Sequence, residues 1–298
     1  MKILLTGATG QLGREICRSR LASGTRLIAA SRAQLDLTRP SEIDGFVGEI
    51  APDLVVNAAA YTAVDRAQSD PELAFAINRD GAASLSKAAA AHGAAIVHFS
   101  TDYVFDGSKD GEWTEEDRPN PLSVYGESKL IGEIAVAAAN PRHLILRTSW
   151  LYAGQGHNFL RTMLRIGKDR TRLPVVADQI GRPTAAADLA DTALGMAMQA
   201  MQGEGAWGLY HVCNSGPATS WHGFASAIFS KAARWSGIPP ILEPITTEAF
   251  GAPAPRPRNS ALALGKLQQV YGLTPRPWHA ALCDVLDEMR REQAMGAS

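Results

Sequence analysis

The chain starts with a short apolar run, Lys2 to Thr6, that passes directly into Gly7-Ala8-Thr9-Gly10-Gln11-Leu12-Gly13. A G-x-x-G-x-x-G turn between a strand and a helix leaves few architectures open, because positions without a side chain let the helix start close against its own strand. The following segments fit the same plan. Near-continuous apolar runs at Leu27 to Ala30, Leu54 to Asn57, Ile96 to Ser100 and Leu144 to Thr148 predict strands buried on both faces. Between them, Gln11 to Ala22, Pro40 to Glu49, Asp70 to His92 with a break near Asn78, and Ser123 to Ala139 predict helices. Alternating β and α units specify an α/β fold, a Rossmann-like doubly wound parallel sheet.

After Trp150 the pattern loosens. Helices are expected at Asn158 to Lys168, Ala186 to Gln202 and Trp221 to Ser236, with a last one at Trp278 to Gln293 before the tail AMGAS. The proline-rich stretch Pro239 to Pro257 reads as a long surface loop. The chain therefore divides into a nucleotide-binding region over 1–150 and a smaller substrate-binding region over 151–298, some of whose segments can return to the sheet.

A formal net charge of −1 gives the chain no global attraction for nucleic acid, and no basic stripe carries interleaved aromatics. No run approaches the roughly twenty apolar residues of a bilayer crossing. The opening apolar run is also too short for a signal-peptide core, so a soluble, cytoplasmic protein is expected. Cys17, Cys213 and Cys283 lack C-x-x-C spacing and read as free thiols of a reducing compartment.

The glycine turn is a site for a pyrophosphate: Gly7, Gly10 and Gly13 admit the ligand to the backbone, and the amides of the helix that follows point at the anion. At the tip of the second strand stands Ala30-Ser31-Arg32. A basic residue there accepts a ribose 2′-phosphate, which favours NADPH, whereas Asp36 in the next loop offers an NADH alternative.

Ser100, Thr101 and Asp102 end the fourth strand, on the sheet edge where such folds hold ligands. Downstream, Tyr125 and Lys129 form Y-x-x-x-K and share a helix face. That spacing arises readily by chance, so its meaning comes from its surroundings. An ammonium one turn from a phenol is expected to favour the phenolate and lower the phenol's pKa. Together, Thr101 polarising a carbonyl oxygen and Tyr125 delivering a proton predict carbonyl reduction with a nicotinamide cofactor, Lys129 bonding the nicotinamide ribose.

The segments TGATGQLG, NAAAYTAVDRAQSDPE, STDYVFDG, PLSVYGESKLIGE, RTSWLYA and DQIGRPT, in that order, resemble the extended short-chain dehydrogenases and reductases over nearly the whole chain. The resemblance implies NADPH-dependent reduction of the 4-keto group of dTDP-4-dehydro-L-rhamnose, the last step in making dTDP-L-rhamnose. It places Gln11 and Leu12 on the pyrophosphate, Asp36 and Leu37 on the adenine side, and Ala58, Ala59 and Ala60 on the cofactor's central face, with Tyr125 and Lys129 completing the cofactor site. Thr101 and Asp102 match positions that contact the sugar nucleotide, and Trp150 matches a ring bordering the sugar. Phe159, Gln179, Arg182 and the cluster Arg256-Pro257-Arg258-Asn259-Ser260 are candidates to surround the nucleotide, with Arg258 the foremost partner for its diphosphate.

Some such proteins form dimers bridged by Mg²⁺ through glutamates. Glu15 matches one ligand, but Ala187 stands where a second is expected, with Asp188 as the substitute at hand. No metal ligand is assigned, and the protein is expected to be a monomer or homodimer. Two other readings share the motifs: a reductase or epimerase of another NDP-sugar, and a non-catalytic NADP-binding regulatory subunit.

Overall fold

The computed structural model describes residues 1–296; the last two residues of the AMGAS tail lie outside them. Six parallel strands form the central sheet: β1 (Lys2–Thr6), β2 (Arg26–Ala30), β3 (Leu54–Asn57), β4 (Ala95–Thr101), β5 (His143–Thr148) and β6 (Gly208–His211), in the order 6-5-4-3-1-2. The strand order reverses between β1 and β3, which opens a crevice beyond their carboxyl ends. β6 was not legible as a strand, being four residues between glycine-containing loops, yet it extends the sheet from the second half of the chain.

Alternate residues of each strand face opposite layers. Ile3, Leu5, Val56, Val97 and Leu146 pack against α1 (Gln11–Arg18) and the later helix Ala186–Gln202, through Leu12, Ile16, Leu189 and Ala193. Leu4, Val55, Ile96 and Ile145 face the other layer, where α2 (Pro40–Ile50), α3 (Ala82–Ala91) and α4 (Val124–Ala139) contribute Ile43, Val47, Leu85 and Val136. A separate core around Tyr152, Leu160, Phe224, Trp278 and Leu282 holds the second half together.

Local chemistry sets the helix starts. Pro40 occupies the first turn of α2, where its missing N–H costs no bond. Ser123 caps α4 by accepting from Gly126 N, and Asn158 caps Phe159–Ile166 by accepting from Arg161 N. The expected break near Asn78 is a π-helical segment, Ala76–Gly81. Its cause is Asn78, whose Oδ1 accepts from Tyr61 N while Nδ2 donates to Tyr61 O and Ser128 Oγ.

Four expectations need correction. α1 ends at Arg18, not Ala22, where Ser19 turns the chain extended. A short helix, Val64–Ser69, precedes the expected start at Asp70. The proline-rich loop contains a strand, Ile241–Ile245, paired in parallel with Arg172–Val176, and a helical turn at Thr247–Phe250. Pro244 is tolerated because this sheet has two strands, so each strand has a free edge where no N–H is needed. The last helix runs Trp278–Gly296, past the expected Gln293. No helix among the described residues is long and apolar enough to cross a membrane.

Candidate active site

The glycine turn is built by close approach. Gly7 has φ +68°, and a Cβ there would stand 2.6 Å from the carbonyl of Ala58; one at Gly13 would stand 2.1 Å from Gly7 O. Both positions exclude any side chain. Gly10 caps α1 without a side-chain bond, so the first-turn amides remain open to an anion. Gln11 ties this turn to the second half of the chain: its Oε1 accepts from Asn158 Nδ2 at 2.8 Å and its Nε2 donates to His157 O at 3.2 Å.

At the tip of β2, Ser31 Oγ donates to Gln34 Oε1, and exposed Arg32 pairs with Asp36 at 3.3 Å. Asp36 also accepts from Thr38 N and Oγ1, and these bonds, the Thr38 amide foremost, hold its carboxyl below the usual range. The Leu37 side chain is buried in the core.

Gly10, Gln11, Leu12, Ala58, Ala60, Thr101, Asp102, Tyr125, Lys129 and Trp150 line one cleft of ≈ 730 Å³ at the carboxyl edge of the sheet. Tyr125 and Lys129 thus meet Thr101 from β4 where the sequence placed them. Thr101 Oγ1 donates to Asp102 Oδ1 at 3.1 Å and accepts from Tyr103 N at 3.2 Å. Lys129 Nζ donates to Phe99 O at 2.6 Å and lies 3.3 Å from His98 Nε2.

The electrostatics differ from expectation. Burial pushes Tyr125 up to about 12, against a hydrogen bond with Thr101 that lowers it, and burial brings Lys129 down to about 8 against the pull of Glu133. Loss of hydration outweighs the expected ammonium effect, so the phenol keeps its proton.

Asp102 is 2% exposed, and its Oδ2 has no hydrogen-bond partner among the described residues. Burial raises it to about 6, opposed by bonds to Ser260 and Thr101. A carboxyl whose folded value lies above its unfolded one adds stability below pH about 4 and loses it as pH rises through about 6. Asp102→Asn is therefore expected to unfold at higher temperature than the parent at pH 8 but not at pH 4, by a difference on the order of 3 kcal/mol. Paired thermal scans at the two pH values measure it; equal shifts would refute the account.

Trp150 is 9% exposed and carries φ +50°, an unusual conformation for a large side chain. Its indole stacks on Trp221 at 3.6 Å between centroids and 8° between planes. Tyr103, Phe159 and Trp221 belong to this cleft and also to a neighbouring cavity of ≈ 470 Å³ lined by Gln179 and Arg256. Arg258 is exposed and lines neither; its charge faces Asp178. Arg182 is bound to Glu112, Gly216 O and Leu262 O. Tyr103, Asn158 and Trp221 line the cleft and His98 lies behind it against Lys129, yet none was singled out as a site residue from the sequence: each sits in an ordinary helical, loop or strand context, and only the tertiary fold brings it there.

Glu15 and Ala187 line a third cavity with Asp191 and Glu288. Its carboxylates are engaged: Glu15 with Arg18 and Gln155, Glu288 with Arg18, and Asp191 with Ser19. Asp188 is held by Arg276 and Asn214. No group of three acidic, His or Cys side chains fit to hold a metal occurs among the described residues, so no role is derived for Mg²⁺.

The family model described as the RmlD substrate binding domain matches residues 1–291. A dTDP-4-dehydrorhamnose reductase of Escherichia coli (strain K12) is 44% identical over 296 residues, 97% of this chain and 98% of that protein. Among solved structures, a dTDP-4-dehydrorhamnose reductase of Clostridium acetobutylicum superposes with TM-score 0.91 at 41% identity, covering 97% of this chain and 100% of that one. A dTDP-4-dehydrorhamnose reductase of Bacillus anthracis in complex with NADP gives TM-score 0.90 at 37% identity, covering 96% and 99%.

Proposed function

Because the chain belongs to the family defined by the RmlD substrate binding domain, a family of NAD(P)-dependent oxidoreductases, we propose that it reduces the 4-keto group of dTDP-4-dehydro-L-rhamnose with NADPH, Tyr125 donating the proton. The observation that carries this reading is the single cleft in which Thr101, Tyr125 and Lys129 stand over the glycine turn.

The backbone cradle of Gly7, Gly10 and Gly13 fits a pyrophosphate, with Gln11 and Leu12 at its edge, Ser31 and Arg32 toward the ribose phosphate, Asp36 and Leu37 toward the adenine, and Ala58 to Ala60 along the middle. NADPH held there would supply the hydride. Tyr125 Oη gives its proton to the carbonyl oxygen, so the ketone becomes a secondary alcohol and the phenol is left as phenolate until solvent restores its proton. Thr101 orients the same oxygen, Lys129 holds the ribose side, and Asp102 binds a sugar hydroxyl.

The stacked Trp150 and Trp221 offer an apolar wall to the sugar. The adjoining cavity, with Tyr103, Phe159, Gln179 and Arg256, suits the nucleotide. Arg256 is half-buried and anchored by Asp65 at 2.9 Å, which pre-orients its guanidinium; Arg258 remains the exposed candidate for the diphosphate.

Incubation with the 4-keto sugar nucleotide and NADPH should consume NADPH and yield the rhamnosyl product; no consumption above background rejects the proposal. Arg32→Ala should raise the KM for NADPH by roughly 10–150-fold and leave that for NADH unchanged, since one charge-assisted phosphate contact is worth about 1.5–3 kcal/mol. Equal effects on both cofactors would remove Arg32 from the 2′-phosphate site.

A further inference from the structure

Trp150 and Trp221 line the cleft face to face, and one short segment, Asp178 to Gly181, touches both. A Cβ on Gly181 would stand 2.6 Å from Trp150 Cε2, so the first indole lies against a position that must stay glycine. The second indole is held by a bond. Trp221 Nε1 donates to Gln179 Oε1 at 3.0 Å, Gln179 Nε2 donates to Thr247 Oγ1 at 3.0 Å, and Thr247 Oγ1 donates to Asp178 Oδ1 at 2.7 Å. We propose that Gln179 and Thr247 are positioning residues for the reaction: their relay fixes the Trp221 indole in the plane where it stacks on Trp150, and so sets the wall against which the sugar lies. The proposal deepens the reductase reading, because the two indoles form the wall assigned to the sugar there.

Hydrogen-bond chemistry allows the relay only one direction. An indole N–H donates and never accepts, so the oxygen of the Gln179 amide must face Trp221 and its nitrogen Thr247. Thr247 Oγ1 accepts from that nitrogen and gives its own proton to Asp178. Burial raises the Asp178 carboxyl, but the bonds from Thr247 and the charge of Arg258 hold it below the usual range, so the relay ends on an anion that only accepts. Asp178 Oδ1 also accepts from the backbone N–H of Thr247 at 2.8 Å, which pins the hydroxyl's own residue to the same carboxylate.

The backbone on either side of the relay is held as well. Ile180 N donates to Arg258 O and Ser260 N to Ile180 O, both at 2.7 Å, and Ile180–Gly181 pairs antiparallel with Thr219–Ser220, the strand that leads into Trp221. Ser220 caps the helix that Trp221 begins, accepting from Gly223 N. These bonds place the main chain of Trp221 and leave its ring free to turn about its side-chain torsions. Phe159 flanks the ring at 4.6 Å but is tilted by 46°, an apolar contact that confines the indole without orienting it. The indole has a single N–H, and Gln179 takes it. Gln179 is 4% exposed, so bulk water has no access to replace a lost acceptor. Thr247 lines neither cavity, so removal of its hydroxyl reaches the cleft through Gln179 and the indole rather than through a ligand.

The test compares Thr247→Val, which removes the hydroxyl and keeps the shape, with Thr247→Ser, which keeps the hydroxyl. Hydrogen exchange of the Trp221 Nε1–H in the full-length, cofactor-free protein is read from ¹H–¹⁵N spectra, with Trp221→Phe identifying the signal among the six tryptophans. Exchange should be faster by roughly three- to tenfold in Thr247→Val, as expected for one weakened hydrogen bond, and return to the parent rate in Thr247→Ser. Reduction of the 4-keto sugar nucleotide should follow the same order: kcat falls by roughly tenfold in Thr247→Val, because a displaced wall costs orientation, and recovers in Thr247→Ser. The Kd for NADPH should stay unchanged in both, since the glycine turn is untouched. An indole proton that exchanges alike in parent and Thr247→Val, a parent-like kcat for Thr247→Val in an active protein, or a serine variant that behaves as the valine one overturns the proposal. Should Thr247→Val not fold, Gln179→Met removes the acceptor itself and is read by the same two measurements. Hydroxyl-dependent exchange in a protein that reduces no sugar nucleotide supports the relay and rejects the reductase reading, so the two failures are separable.

Discussion

Tyr125→Phe is expected to lower kcat by roughly 10²–10⁴-fold while leaving the Kd for NADPH unchanged. The substitution removes one oxygen and keeps the ring, which packs edge-on against Tyr103 with centroids 5.6 Å apart. Cofactor binding rests on the glycine turn and should not register the loss. Burial holds the phenol near 12, so across the working pH range the residue enters the reaction protonated, as a donor must. Stopped-flow reduction and a separate titration with NADPH measure the two quantities. A variant retaining more than about a tenth of the parent rate would show that the proton comes from elsewhere, since general acid catalysis contributes at least about a hundredfold. A non-catalytic NADP-binding subunit would bind the cofactor alike in both forms and turn over in neither.

The second large effect concerns stability. Arg147 at the end of β5 donates from Nε and Nη2 to the two oxygens of Glu133, at 2.9 and 2.7 Å, and Ser100 on β4 donates to the same carboxylate. Both charged side chains are nearly inaccessible, at 3% and 5% exposed. Arg147→Met leaves the Glu133 charge buried with only the Ser100 hydroxyl, a situation that costs about 3–5 kcal/mol. The double change Arg147→Met, Glu133→Met removes both charges and should recover most of that loss. Urea unfolding of the parent, the single and the double variant measures it. A single variant within about 1 kcal/mol of the parent would mean that water reaches the carboxylate and that the pair is no structural bolt between sheet and helix.

How far the sequence speaks follows from what each signal depends on. Strands β1 to β5 were legible from their apolar runs, unbroken where both faces are buried as in β3 and β4 and looser in the half-exposed edge strand β2, and Ser123 and Asn158 were legible helix starts because capping is local. Asn78 marked its break for the same reason, although the π geometry that its side chain imposes was not foreseeable. The edge strand Gly208–His211, as short as β3 but without its unbroken apolar run, leaves no pattern, and Pro244 disguised a strand as a loop. Tyr125, Lys129 and Thr101 were singled out by motif and strand-end position, and they line one cleft. Their electrostatics were not legible, because spacing along a helix reports the neighbour and not the water removed from it. Trp221 meets Trp150 across seventy positions of chain, and His98 looks like any polar residue in a buried strand. Such pairings exist only after folding.

The stacked pair at the cleft also gives the protein an optical signature. Two indoles held nearly parallel at 3.6 Å share their excited states, so their transitions mix and split instead of absorbing independently. Near-ultraviolet circular dichroism should carry a bisignate band from Trp150 and Trp221 that Trp221→Phe abolishes. A sugar nucleotide that parts or tilts the rings changes that band before any hydride moves, which makes arrival in the cleft visible separately from turnover.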